Sequence, residues 1–404
     1  MRLEKTAQVV IGAQFGDEGK GRLIDYYAAS AGGDSIVVRF NGGAQAGHTV
    51  VTPEGRRHVF SHIGSGAFAG AATLLSRFFV SNPILFLKEL NALAELDVTP
   101  TVLIDPASPA TTPYDMLINQ IIEKERGAGR HGSCGIGFGE TLERHLHPAY
   151  ALTVGDLADD ALADRLDAIR CDYAPARLVR LGFGDAYLRE AGLFQSDAIL
   201  ERYVENARRF LDAVTVMNAP AAIQGRRILF EGAQGLLLDQ ERGFFPYVTR
   251  SYTGLRNVLS LADEWRLTRL EVTYATRAYL TRHGAGPLPG ELAEKPYPAV
   301  ADPTNIPNDY QGTLRFAWLD VDLLGRAIAA DLNDARRFAG IAVKPRLATT
   351  CLDQLGDGLA IYCQGGRRCQ ARLESLIAAV RQATDMNEVW LSRGPERDAV
   401  SGYL

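Results

Sequence analysis

No stretch of this 404-residue chain approaches the apolar length of a membrane span, and no internal repeat or low-complexity tract appears. A basic surplus is also missing: 43 Lys and Arg stand against 48 Asp and Glu, a net charge of −5. That removes the electrostatic case for nucleic acid as a partner. The five cysteines, at 134, 171, 351, 363 and 369, form no C-x-x-C pair. An odd count without that spacing favours reduced thiols in a cytoplasmic enzyme over a disulfide framework or a zinc site. Residues 1–10 hold no long apolar run ahead of the first strand, so no signal peptide is expected. What remains is ordinary globular composition, 47% hydrophobic and 23% charged, long enough for a large core or two.

Glycine, by contrast, is plentiful, with 40 residues gathered largely where predicted strands end. The stretch from Val9 to Tyr27 has the run Val9-Val10-Ile11, a loop with Gly12, Gly16, Gly19 and Gly21, and a helix carrying Leu23, Ile24 and Tyr27. Strand, glycine loop and helix in that order predict a phosphate cradle, with Lys20 adding a mobile charge. It is not a standard P-loop. Gln14 stands where that motif needs its first Gly, and Gly21 replaces the hydroxyl that would hold Mg²⁺. Asp17 is then the oxygen ligand available to a magnesium nucleotide, unless it is a plain helix cap.

Three more glycine turns follow. The predicted strand 36–40 runs into Asn41-Gly42-Gly43-Ala44-Gln45-Ala46-Gly47-His48-Thr49, at the kind of strand end where open α/β sheets place ligands. Residues 227–235 form a strand ending in Glu231-Gly232-Ala233-Gln234-Gly235, and 270–280 a β-leaning run ending in Thr281-Arg282-His283-Gly284. Short strands are predicted at 73–80 and 101–104, helices at 82–96, 113–126 and 318–330, and a flexible glycine loop at 127–139. The proline-bearing stretch 287–312 reads as a lid or binding loop. Strands alternate with helices throughout, predicting one doubly wound α/β unit over 1–404. Its central sheet should be mostly parallel, with a helical insertion around 110–220 and a last α/β portion around 340–404.

The blocks GAQFGDEGKG (12–21), GGAQAGHTV (42–50), FEGAQGLLLD (230–239) with FPYVT (245–249), and TRHGAGPLPGE (281–291) together resemble adenylosuccinate synthetases. So do AWLD (317–320) and SRGP (392–395). The resemblance implies a P-loop-related fold, a homodimer, no membrane or nucleic-acid partner, and a GTP-dependent ligase that joins L-aspartate to C6 of inosine monophosphate, with ATP as the other donor to consider. It implies that Asp17 is the base and a Mg²⁺ ligand, that Lys20 meets the transferring phosphate, that the Gly47 carbonyl is a second metal ligand, and that His48 is the acid. Gly16, Glu18, Gly19, Gly21 and Thr49 would complete the triphosphate loops. Gln234 and Thr249, with Gln45, Ser133 and Cys134, would hold the acceptor nucleotide. Cys351, Asp353, Ser392, Gly394 and Pro395 would form the guanine pocket.

Departures from the family pattern concentrate on acceptor and donor. Several arginines that would grip aspartate are reduced to Arg315 in Asp309-Tyr310-Gln311-Gly312-Thr313-Leu314-Arg315, with Thr313 beside it and Arg282 or Arg277 as reserves. Gly-Thr-Thr-Gly becomes Gly132-Ser133-Cys134-Gly135, an Asn becomes Gln45, and Thr-Lys-Leu-Asp becomes Thr350-Cys351-Leu352-Asp353. The arginine that reaches in from a partner subunit has Arg144 or His147 as nearest substitute. Two other readings therefore stay open: a specialised paralogue using another purine nucleotide (a guanine deoxynucleotide or an antibiotic precursor) or another amine, and a non-catalytic nucleotide-binding scaffold.

Overall fold

A computed structural model describes residues 5–301, 312–356 and 358–403. The strand Thr6–Gly12 lies inside a ten-stranded sheet. On one side of it come Arg227–Glu231, Ser35–Arg39, Ala72–Leu75, Val102–Ile104 and Thr215–Val216. On the other come Arg269–Arg277, Ala342–Thr350, Val389–Ser392 and Val400–Tyr403. Every pairing is parallel except the last, where Val400–Tyr403 runs against Val389–Ser392. The doubly wound, mostly parallel sheet is thus as expected.

Burial on both faces explains why the first strand is a continuous apolar run and not an alternating one. Val9 and Ile11 join the large cluster with Phe40, Phe230 and Leu270. Val10 points the other way, into a smaller cluster with Leu23, Ile24 and Ala28 of the helix Lys20–Ala31. Helix ends follow their local chemistry. The Asn82 side chain accepts from the Leu85 N–H at 3.1 Å, with Pro83 in the first turn. Thr112 and Asp115 form a reciprocal capping box that starts Pro113–Arg126.

Three expectations need correction, the first being the strand predicted at 73–80, which spans only Ala72–Leu75. The run 270–280 is two strands, Arg269–Arg277 in the main sheet and Tyr279–Arg282 in a separate five-stranded sheet. That second sheet, with Arg315–Asp320 and the hairpin Leu359–Gln364 and Arg367–Arg372, has no counterpart in the sequence reading. The helix predicted from Trp318 instead begins at Val321. Trp318 and Leu319 belong to the strand Arg315–Asp320, and the Asp320 side chain caps the helix by accepting from the Leu323 N–H at 2.8 Å. Of the loop 287–312, residues 302–311 lie outside the described residues, Asp309 among them.

The helical region holds a fully buried ion pair. Arg144 donates to both Asp115 oxygens at 2.8 Å and to the carbonyls of Ala110 and Tyr150. So enclosed, Arg144 cannot cross a subunit interface, and the nearby His147 ring packs against Tyr173. Arg144→Leu strands a buried carboxylate. It should cost about 3–5 kcal/mol of stability in urea melts, whereas a surface role would leave the midpoint unmoved.

Candidate active site

Because the strands run parallel, their C-terminal loops gather at one edge. There they line a cleft of about 620 Å³. All four glycine turns contribute: Gly16, Asp17, Gly19, Lys20 and Gly21 from the first, and Gln45, Gly47, His48 and Thr49 from the second. Gln234 comes from the third, Thr249 from the segment after it, and Arg282 and His283 from the fourth. Ser133 and Cys134 from the 127–139 loop and Cys351 and Pro395 from the C-terminal portion join them.

The first turn is organised by its own acid. The Glu18 carboxylate is fully buried and accepts from the N–H groups of Gln14 at 3.0 Å and Gly16 at 2.9 Å, and from the Lys20 ammonium at 2.7 Å. Glu18 therefore sits behind the loop, outside the cleft lining. Some of the N–H groups expected to cradle phosphate are held by a protein carboxylate instead. The 127–139 loop repeats the device, with Gly132 and Ser133 N–H groups donating to Glu123 at 2.9 and 3.3 Å. Asp17 faces the cleft from a left-handed backbone, and Arg277 donates to its carbonyl.

Gly21 lets the first turn meet the second: a Cβ there would stand 3.0 Å from both the His48 Cβ and the Ser65 Oγ. His48 Nδ1 lies 2.6 Å from Glu231 Oε1. Glu231, in the sequence only a member of a strand-end turn, is the hub here. It also takes the Ser65 N–H at 3.0 Å and the Ser65 hydroxyl, and Arg39 Nε lies 4.0 Å away. Burial alone would raise its pKa. The charges of Arg39 and His48 and the hydrogen bonds outweigh that and push it down to about 2. For His48, burial wins over Glu231 and lowers the pKa, which favours a neutral ring.

Three non-glycine residues in the cleft hold left-handed backbones at strand ends: Asp17 (φ 63°), Gln234 (φ 56°) and Cys351 (φ 57°). Such strain clusters at functional sites. Buried polar atoms without hydrogen-bond partners among the described residues add to the pattern: both carboxamide atoms of Gln45, the Gln234 oxygen and both ring nitrogens of His283. Unpaired buried groups facing a cavity call for a ligand. The Cys134 thiol, pushed up to about 11 by burial, stays protonated.

The donor side differs from expectation. Arg315 is committed to Glu291 through Nε at 2.7 Å and Nη2 at 2.5 Å, and to the carbonyls of Gly284 and Gly286. Arg282 donates to the carbonyls of Ala285, Pro287 and Tyr247 and lies over the Phe15 ring. Burial first, then Arg315, lowers the Arg282 pKa to about 10. Thr313 is exposed and does not line the cleft. The two arginines thus build the wall instead of presenting free forks. In the C-terminal portion, Thr350 Oγ1 donates to the Glu18 carbonyl at 2.9 Å, and Arg22 donates to Ser392 Oγ at 2.5 Å and the Pro395 carbonyl at 3.0 Å. Asp353, Ser392 and Gly394 lie beside the cleft and not in its lining.

The family model for adenylosuccinate synthetase matches residues 9–337. Adenylosuccinate synthetase of Xylella fastidiosa (strain M12) is 34% identical over 332 residues, covering 80% of this chain and 74% of the relative. That of Ralstonia nicotianae is 34% identical over 372 residues, covering 87% and 80%. The chain belongs to the adenylosuccinate synthetase family. Its fold also matches the fully ligated adenylosuccinate synthetase of Plasmodium falciparum, at 19% identity with TM-score 0.74, over 98% of this chain and 100% of that one. A second fold match is the cyanophage S-2L succinoaminodeoxyadenylate synthetase bound to dGMP and dATP, at 16% identity with TM-score 0.61, over 99% and 96%. The protein is accordingly a C–N bond-forming ligase of purine biosynthesis that joins aspartate to inosine monophosphate with cleavage of GTP. Neither a specialised paralogue nor a scaffold is favoured. Magnesium is a general requirement of the family, and no helix among the described residues is long and apolar enough to cross a membrane.

Glu231 joins His48, Ser65 and Arg39, which makes it the residue to test. Its depressed pKa contributes stability that is present above the ordinary carboxylate range and lost as pH falls towards about 2. The drop from 4.5 to about 2 corresponds to something on the order of 3 kcal/mol. Glu231→Gln should melt well below wild type at pH 7, and thermal melts should show that gap closing as pH falls from 5 towards 2. A gap independent of pH would sever the carboxylate from the network.

Proposed function

We propose that the cleft performs the ligation in two steps, with the roles divided among the glycine turns. The observation that carries this reading is the convergence of Asp17, Lys20, His48 and Gln234 on one cavity from three separate strand ends. The C6 oxygen of a 6-oxopurine is amide-like and will not leave as hydroxide when an amine attacks. Asp17 takes the N1 proton, which pushes charge onto O6. O6 then attacks the γ-phosphorus, the bond to the β-phosphate breaks, and nucleoside diphosphate departs. Aspartate nitrogen attacks C6, the C6–O6 bond breaks, and inorganic phosphate leaves.

Lys20 faces the transferring phosphate, and His48, its Nδ1–H donating to the Glu231 carboxylate, donates from its other ring nitrogen to the oxygen passing between donor and acceptor in the protonated form that the anionic phosphates favour. Gln45, Gln234, Ser133, Cys134 and Thr249 line the acceptor side, where the unpaired carboxamides supply donors and acceptors to the nucleotide. For the triphosphate, GTP is the assigned partner over ATP, with Asp353 accepting from the base and Cys351, Ser392, Gly394 and Pro395 around it. In support, Thr350 Oγ1 donates to the Glu18 carbonyl, which ties the C-terminal portion to the first turn.

Asp17 and Gly47 offer the cleft a carboxylate and a carbonyl oxygen, the hard donors that Mg²⁺ takes while keeping waters and phosphate oxygens. When bound there, the ion neutralises charge developing on the phosphates. A homodimer completes the reading, on the strength of the family resemblance.

Because Asn tolerates a left-handed backbone, Asp17→Asn removes the base while sparing the turn. Diphosphate release should fall by about 10²–10⁴-fold with circular dichroism unchanged. In the wild type, release should require inosine monophosphate and aspartate together, with the succinylated nucleotide visible by mass spectrometry. Wild-type rates in the variant would unseat Asp17, and release without acceptor would mark a simple phosphatase.

A further inference from the structure

With Arg282 and Arg315 built into the wall, no arginine of the amine-donor end is left free for a carboxylate among the described residues. The other cleft guanidiniums are engaged too: Arg22 with Ser392, Arg126 with Glu123, Arg250 with Glu143 and Arg277 with the Asp17 carbonyl, and Arg57 is not free either. His283 differs from them. Its ring lines the cleft, both nitrogens are buried, and neither has a hydrogen-bond partner among the described residues. Nε2 lies 3.6 Å from Asp17 Oδ2, just beyond hydrogen-bond reach.

The turn that carries the ring is rigidly placed. Arg315 donates to the Gly284 and Gly286 carbonyls at 3.0 and 2.9 Å, and Gly132 packs so closely that a Cβ there would stand 2.6 Å from the Gly284 Cα. The proposed reaction fixes what comes near. Aspartate nitrogen must reach C6, the ring atom bonded to the N1 that Asp17 deprotonates. A group beside Asp17 is thus within reach of the substituents on the incoming amine. Those substituents are carboxylates, which only accept hydrogen bonds, and an imidazole N–H is a donor even when the ring is neutral.

Resting on the ligase reading above, we propose that His283 is a specificity-determining residue that donates an N–H to a carboxylate of the incoming aspartate. It supplies in this chain part of the grip that Arg315 cannot give. The test is steady-state kinetics on the full-length enzyme with inosine monophosphate, GTP and L-aspartate. His283→Val should raise the KM for aspartate about tenfold or more, the loss expected for one hydrogen bond to a charged group. The KM values for both nucleotides should stay within about twofold. His283→Gln, which keeps an N–H donor, should recover most of the aspartate affinity. An unchanged KM for aspartate in His283→Val overturns the assignment. So does a fall in kcat alone, which would make the ring a support for Asp17. A wild type that makes no product from these three substrates overturns the ligase reading, and this inference with it.

Discussion

Parallel strand direction is the constraint on which the rest of this structure depends. Thr6–Gly12 has parallel neighbours on both sides, so its C-terminal turn and theirs must emerge at the same edge of the sheet. Residues separated by as much as 373 positions in the chain and in mutual contact, Arg22 and Pro395, thereby become walls of one cavity. Strands that faced opposite ways would have sent them to opposite edges.

Within that edge, buried carboxylates do much of the local shaping. Glu18 gathers the first turn, Glu123 closes the 127–139 loop, and Glu231 joins the His48 turn to Ser65 and Arg39. Each is paired with N–H groups or cations, as burial of a charge demands. Glycine and acid thus divide the labour. Glycine permits close approach, as at Gly21 against His48, and the acids hold the resulting backbone in place. Among the buried groups left unpaired, those on Gln45, Gln234 and His283 face the cavity.

A family resemblance carried by short blocks locates cleft-lining residues more readily than it tells which side chains are already engaged. Asp17, Lys20, His48 and Gln234 sit in glycine turns whose local pattern announces them, and all four line the cleft. Arg315 and Arg282 carried the right charge for a carboxylate, but a sequence does not say which arginine is already taken. Glu291 takes the first, and a ring of carbonyls takes the second. Glu231 and His283 both read in the sequence as members of strand-end turns, with no local signal for the contacts they make.

What the order of residues determined by itself was the local grammar: an apolar strand, a glycine turn, a helix with its cap, repeated often enough to specify a parallel α/β sheet. Those signals act over a few residues and survive without the rest of the chain. The second sheet, the break at Ala278 between two strands, and the partner of each buried charge were decided only in three dimensions. Hydrogen bonds and burial join residues hundreds of positions apart, and a linear pattern holds no record of that distance.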